Sequence, residues 1–275
     1  MPTLITSGVH SIALHYDDVG SGQPVVMIHG WPLSRAMWES QVNALTAAGF
    51  RCITYDRRGF GDSDRPNIGY DYDTLAGDLH DLLTHLELHN VVLVGFSMGG
   101  GEVARYLGHH GSEHIAKAAF LGSVTPFLLK KADNPDGVER KVFDEMLAAV
   151  RTDRIGFLEK FFVDFYNADA EGSALGGDVI PYSKSIAWSA SAIATQQCIV
   201  SFGTTDFRAD LRGITIPTLI VHGDADRIVP FPLSGARTHA MIPSSQLEVL
   251  QGAPHGFVAT HAAQLNRRLV SFLRS

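Results

Sequence analysis

A serine, two neighbouring carboxylates and a histidine stand along this chain in an order that suits acyl transfer. Ser97 is the centre of Gly95-Phe96-Ser97-Met98-Gly99, between the apolar run Val91-Val92-Leu93-Val94 and the helix-like Gly100 to Leu107. A strand, a sharp turn and a helix with serine at the apex thrust a hydroxyl away from the backbone, and so tight a turn leaves room only for glycine on either side. Behind it, the Met98 amide and the positive end of the new helix face the place where an oxyanion would form. The five-residue pattern alone is weak, because glycine-rich strand-to-helix turns carry serines for other reasons. Its context is stronger.

A nucleophilic serine of this kind requires an oxyanion loop before it, and an acid and then a histidine after it. Pro24-Val25-Val26-Met27-Ile28 reads as a buried strand ending in His29-Gly30-Trp31-Pro32, which offers the Trp31 N–H as a second oxyanion donor beside that of Met98. Thr218-Leu219-Ile220-Val221 is another apolar strand, running into His222-Gly223-Asp224-Ala225-Asp226, where either aspartate suits the role of acid. His255, 29 residues beyond Asp226, lies between the strand-like Leu247 to Leu250 and a C-terminal helix. A serine hydroxyl is a poor nucleophile at neutral pH, so His255 would take its proton and the acid would hold the imidazole in the useful tautomer. That chemistry requires no metal and no organic cofactor.

The elements that must hold these residues recur regularly. Strand-like segments near 11–17, 25–29, 51–56, 91–95, 117–122, 217–222 and 246–250 alternate with helical patterns. This predicts an α/β fold, a mostly parallel doubly wound sheet with helices on both faces and a site at the carboxyl ends of the strands. The rhythm breaks between Thr125 and Asp210, where helical stretches such as Val138 to Val150 and Arg154 to Phe165 follow one another. Residues 1–124 and 211–275 are therefore expected to form the core and 125–210 a helical cap. Eight of the 15 Phe fall in that interval: Phe127, Phe143, Phe157, Phe161, Phe162, Phe165, Phe202 and Phe207. Phe161, Phe162 and Phe165 are too closely spaced on one helix to face one way, so at least one is expected to look into the cleft. With Trp31, Val124, Leu128, Ile228 and Val229, which flank the motifs, they predict an apolar acyl site for small or aromatic esters rather than charged substrates.

Composition narrows the class. A chain of 275 residues with 45% hydrophobic and 19% charged content suits one large domain with an insertion. The formal charge of −7 and the absence of a basic stripe argue against a nucleic-acid partner. Cys52 and Cys198 read as reduced, buried packing residues. Met1 to Asp18 has neither a basic start nor a continuous apolar stretch, and no run is long enough to cross a bilayer, so a cytoplasmic location with no membrane partner is expected. A homo-oligomer is compatible with the sequence, which does not specify one. His109 and His110, at a helix end, are expected to have no metal role, Glu102 and Arg105 to pair with neighbours or solvent, and His29 to brace the oxyanion loop.

Together, His29-Gly30-Trp31-Pro32, Asp56-Arg57-Arg58-Gly59-Phe60-Gly61, the extended Gly95 to Tyr106 stretch, Gly223-Asp224-Ala225-Asp226 and Ala253-Pro254-His255-Gly256-Phe257 resemble an α/β-hydrolase. More narrowly, the chain is similar to the cofactor-free, non-haem haloperoxidases and aryl esterases over nearly its whole length. The resemblance implies a Ser97, Asp226, His255 triad with Trp31 and Met98 as oxyanion donors. It assigns Asp226 as the acid and leaves Asp224 to stabilise the turn, with Asp56, Arg57, Arg58 and Asp62 as scaffolding. It also implies perhydrolysis, in which hydrogen peroxide replaces water in deacylation and the released peracid oxidises halide in solution. Pro32 then has two readings, a rigid turn residue or, since proline restricts the residue before it, the residue that aims the Trp31 carbonyl at bound peroxide. The expected partners are a small ester or carboxylic acid and hydrogen peroxide. Haloalkane dehalogenases and epoxide hydrolases carry aspartate at the elbow, which Ser97 argues against. A non-catalytic version of the fold would lack a triad member. A lactamase or carbon–carbon hydrolase would keep the same triad and stays open.

Overall fold

The computed structural model describes residues 2–8, 11–170 and 177–275. Met1, Val9 and His10 of the N-terminal stretch, and 171–176 of the expected helical insertion, lie outside the described residues. Among the described residues eight strands form one sheet: β1 (Thr3–Ile5), β2 (Ala13–Gly20), β3 (Pro24–Ile28), β4 (Arg51–Tyr55), β5 (Val91–Phe96), β6 (Ile115–Leu121), β7 (Thr218–Gly223) and β8 (Gln246–Leu250). Their spatial order is β1-β2-β4-β3-β5-β6-β7-β8; the first two pairings are antiparallel and all from β4 to β8 are parallel. Val25 to Ile28 and Val91 to Val94 are fully buried. Strands covered on both faces need apolar residues at every position, which is why these runs do not alternate.

The helices are α1 (Glu39–Ala47), α2 (Tyr72–His85), α3 (Met98–His110), α4 (Arg140–Tyr166), α5 (Val179–Trp188), α6 (Ala192–Thr204), α7 (Arg208–Arg212), α8 (Gly235–Met241), α9 (Phe257–Thr260) and α10 (Ala262–Arg274). The crossover β3-α1-β4 steps one way along the sheet, whereas β5-α3-β6 and β7-α8-β8 step the other. Right-handed crossovers therefore put α1 on one face and α3 and α8 on the opposite one. Helix α10 packs beside α1 and buries Leu265, Leu269, Phe272 and Leu273, and α2 packs beside α3. The expected parallel sheet with two helical layers is the fold observed. The sequence pattern does not reveal β1, which has three residues, too few to show a period, and lies at the sheet edge beside β2.

Helices α4 to α7 occupy the interval between β6 and β7, and outside the sheet the chain there makes only isolated bridges among the described residues. The two helical stretches read on either side of position 152 are limbs of one kinked helix. Asp153 leaves the helical region (φ −151°, ψ 85°), and its Oδ1 accepts a hydrogen bond from the Gly156 amide at 2.9 Å. It acts as an internal N-cap that starts the second limb.

Cys52 on β4 and Cys198 on α6 are free and buried, and burial pushes both thiols up to about 12, which makes them poor nucleophiles at neutral pH. Among the described residues no helix is long and apolar enough to cross a membrane, and no cluster of three or more His, Cys, Asp or Glu could hold a metal ion.

Candidate active site

Ser97 sits between β5 and α3 with φ +54° and ψ −118°, a left-handed backbone for a residue with a side chain. Such a conformation costs energy and persists only where the surroundings enforce it. A Cβ on Gly95 would come within 2.4 Å of the Gly99 carbonyl oxygen, and one on Gly99 within 2.3 Å of the Ile28 oxygen. These close approaches let α3 start directly against β3 and β5. The Ser97 amide is held by the Leu121 carbonyl at 2.8 Å, which ties the turn to the end of β6.

His255 Nε2 lies 2.9 Å from Ser97 Oγ, and His255 Nδ1 lies 2.6 Å from Asp226 Oδ2. The acidic partner fixes the proton on Nδ1, so Nε2 is free to accept from the serine hydroxyl. All three side chains sit at the carboxyl ends of parallel strands or the loops that follow them. Asp226 Oδ1 accepts from the Ile228 and Val229 amides at 2.9 and 2.8 Å, which orients the carboxylate from behind. Burial alone would raise its pKa, but His255 and hydrogen bonds from His222 and His255 outweigh that and hold the carboxyl well below the usual range. Asp224 points elsewhere: its Oδ1 accepts from the Gly252 amide at 2.6 Å and links the β7 loop to the turn after β8.

The loop after β3 reaches the same place. A Cβ on Gly30 would lie 3.1 Å from Ser97 Cβ, so the backbone of Gly30-Trp31 runs directly over the serine, and the Trp31-Pro32 peptide is cis. Trp31 donates its indole N–H to the Thr195 carbonyl of α6 at 3.1 Å, and Tyr72 Oη donates to the Met98 carbonyl at 3.1 Å. Both residues of the expected oxyanion pair are thus held through atoms other than the expected donor amides.

Beneath the loop lies a buried charge network. His29 Nε2 accepts from the Arg57 amide at 3.0 Å, and the Arg57 guanidinium donates to the His29 carbonyl at 2.8 Å. Burial, and then the Arg57 charge, lower the His29 pKa, consistent with a bracing rather than a proton-transferring histidine. Arg57 also pairs with Glu102, whose other oxygen accepts from Tyr55 Oη at 2.7 Å. Glu102 is fully buried, so its partners are neighbours and not solvent. Glu102→Ala leaves a buried guanidinium uncompensated, and we expect it to destabilise the fold by about 3–5 kcal/mol, read as a lower midpoint in urea. A midpoint within error of wild type would contradict this.

Above Ser97 is a cavity of about 380 Å³. Of the residues expected to line it, Trp31, Val124, Leu128, Phe161, Ile228 and Val229 do so. Phe162 and Phe165 do not, and the expectation for them is corrected. Phe162 is fully buried among Phe161, Phe165 and Tyr166, one position round the helix from the cavity. Phe165 lies beneath His255, edge to face at 5.0 Å, and its carbonyl accepts from the Gly256 amide at 2.8 Å. It therefore holds the histidine loop. Phe157, Phe143, Met146 and Phe202 take the vacated lining positions. The spacing of Phe157 and Phe161 is the signal that identifies one of them, since residues four apart share a helix face, and their rings are stacked. Lys160, Asp164 and Arg227 also contribute to the lining, so charge is present beside a mostly apolar interior.

Comparison with known proteins agrees with this architecture. A family model described as the alpha/beta hydrolase fold matches residues 23–262. The chain is 41% identical over 268 residues to the non-heme chloroperoxidase CPO-A1 of Kitasatospora aureofaciens, covering 95% of this chain and 96% of that one. It is 34% identical over 267 residues to the bifunctional esterase/perhydrolase DCH of Acinetobacter calcoaceticus, covering 96% and 97%. The crystal structure of a bromoperoxidase from Bacillus anthracis matches with a TM-score of 0.95 and 47% identity over the full length of both chains. With the strand-end serine, histidine and aspartate in hydrogen-bonded series, these likenesses establish that the chain belongs to the α/β-hydrolase family, in its branch of non-haem haloperoxidases and esterases.

Proposed function

We propose that the protein is a serine hydrolase of small carboxylic esters that works through an acyl-Ser97 intermediate and also catalyses perhydrolysis, with the helices of 125–210 as the cap over its site. The observation that carries this reading is the series Ser97 Oγ, His255 Nε2 at 2.9 Å and Asp226 Oδ2 at 2.6 Å from Nδ1, set beneath a mostly apolar cavity. His255 removes the Ser97 proton as Oγ attacks the ester carbonyl, and Asp226 stabilises the resulting imidazolium. The Trp31 and Met98 amides receive the oxyanion, and each such donor is worth roughly two to three orders of magnitude in rate. The tetrahedral adduct collapses, His255 returns the proton to the departing alcohol, and the acyl group stays on Ser97. Water, deprotonated by His255, then releases the acid. The test is a paired assay without added metal: p-nitrophenyl acetate hydrolysis, and acetic acid with hydrogen peroxide, bromide and a halogenation dye. Both activities are expected. Inactivity in both would overturn the reading and favour lactams or carbon–carbon bonds.

In perhydrolysis, hydrogen peroxide takes the place of water, His255 accepts one of its protons, and a peracid leaves that oxidises halide away from the enzyme. Our reading gives Pro32 a part in this, by directing the Trp31 carbonyl to accept a hydrogen bond from bound peroxide. Pro32→Leu is then expected to lower the ratio of perhydrolysis to hydrolysis about fivefold, the worth of one hydrogen bond. An unchanged ratio would assign Pro32 to the turn alone.

A further inference from the structure

His222, the penultimate residue of β7, is fully buried and has no part in the mechanism above. Its Nε2 lies 2.8 Å from the Val229 carbonyl oxygen and 3.3 Å from Asp226 Oδ2. Its Nδ1 is buried with no hydrogen-bond partner among the described residues. Gly235, at the start of α8, makes room for that edge of the ring, since a Cβ there would come within 2.6 Å of Nδ1. A proton on Nδ1 would be a buried donor with no acceptor among the described residues, whereas one on Nε2 has the Val229 carbonyl as acceptor and Asp226 Oδ2 beside it. The surroundings therefore select the Nε2–H form.

We propose that His222 is a positioning residue for the acid of this site, its Nε2–H holding Asp226 Oδ2 in the plane of the His255 imidazole. The inference rests on the Ser97, His255, Asp226 reading. A residue that merely filled the core at the end of an apolar strand would be aliphatic, as Leu219, Ile220 and Val221 are. A buried imidazole with one unpaired nitrogen is a costly alternative.

The arrangement is closed on itself. Val229 donates its amide to Asp226 Oδ1 at 2.8 Å and offers its carbonyl to His222, so one residue fixes the carboxylate and the ring that braces it. Asp226 thus receives the Ile228 and Val229 amides on Oδ1 and His255 on Oδ2, with His222 Nε2 lying 3.3 Å from that same oxygen. Without His222, Oδ2 keeps the His255 contact alone, and its charge is no longer shared with a second imidazole. Among the described residues Asp226 is the one charged side chain bonded to either ring.

The consequence separates positioning from packing. His222→Phe fills the space and removes the donor; we expect kcat for p-nitrophenyl acetate to fall about tenfold with KM little changed, since misorientation affects the chemical step. The Asp226 charge is then no longer shared, so the acid limb of the kcat/KM profile moves to higher pH. His222→Gln, whose amide N–H reaches where Nε2 does, should restore the limb and most of kcat. Wild-type kcat and profile in His222→Phe would overturn the proposal, as would a limb displaced equally by Gln and Phe. An independent readout needs no variant: histidine ¹⁵N NMR of the wild type should place the His222 proton on Nε2, and a proton on Nδ1 overturns the proposal whether or not His222→Phe folds. Asp226→Asn assayed alongside separates the two levels. If it stays active, the triad reading fails; if it is inactive and His222→Phe behaves as wild type, only the role of His222 fails.

Discussion

Ser97→Ala is expected to lower p-nitrophenyl acetate hydrolysis by about 10⁶-fold, and to remove peroxide-dependent bromide oxidation with it. The loss is large because, among the described residues, Ser97 Oγ is the hydroxyl that His255 Nε2 faces, at 2.9 Å. What survives should be the part supplied by the oxyanion donors and by binding, about 10³–10⁴-fold over water. Alanine adopts the backbone of Ser97 as readily as serine does, and the turn is set by Gly95 and Gly99. The variant should therefore unfold at the same temperature as wild type. Because both reactions run through one acyl-enzyme, they must fall together. Bromide oxidation that persists in Ser97→Ala would mean that the peroxide reaction has its own site.

Asp226→Asn is expected to lower kcat by about 10⁴-fold while leaving the fold intact, and the geometry gives the reason. The Ile228 and Val229 amides require an acceptor at the Oδ1 position, so the amide oxygen of asparagine must lie there. Its NH₂ is then turned toward His255 Nδ1, which becomes an acceptor and moves the ring proton to Nε2. That tautomer cannot take the Ser97 proton. Asp226 also bears on stability. Its folded pKa lies below the unfolded one, so its contribution is present above the ordinary carboxylate range and is lost as pH falls through the depressed value. An asparagine at this position does not titrate, and the acid unfolding curve of the variant should be correspondingly shallower. A kcat within tenfold of wild type would contradict the triad.

The parts of the fold and site that are legible in the sequence carry strong local constraints. A nucleophile at a strand-to-helix turn needs small residues on either side, and the close approaches at Gly95 and Gly99 are that need in three dimensions. Strands covered on both faces are written as unbroken apolar runs, so β3, β5 and β7 stood out with their carboxyl-terminal loops. Distinctions that depend on side-chain direction were less legible. Asp224 and Asp226 are separated by one residue, and spacing left both open; the resemblance favoured Asp226, and in the structure Asp226 faces His255 while Asp224 faces Gly252. Phe161, Phe162 and Phe165 were read together because local spacing does not fix the rotation of a helix against its neighbours, and only Phe161 faces the cavity. Glu102 is buried against Arg57, 45 residues earlier, a contact that no helical period reveals. His222 ends an apolar strand, where its chemistry is hidden until Val229 and Asp226 fold back over it.

A single covalent intermediate at Ser97, shared by water and peroxide, links the two proposed activities. The most direct measurement is an acid quench of the full-length enzyme turning over p-nitrophenyl acetate, followed by peptide mass spectrometry, with and without hydrogen peroxide. One acetyl group on the Ser97 peptide is expected, at a steady-state level that falls as peroxide rises and peracid accumulates. An acetyl group on another residue, or peracid formation that leaves the Ser97 adduct undiminished, would contradict the shared intermediate.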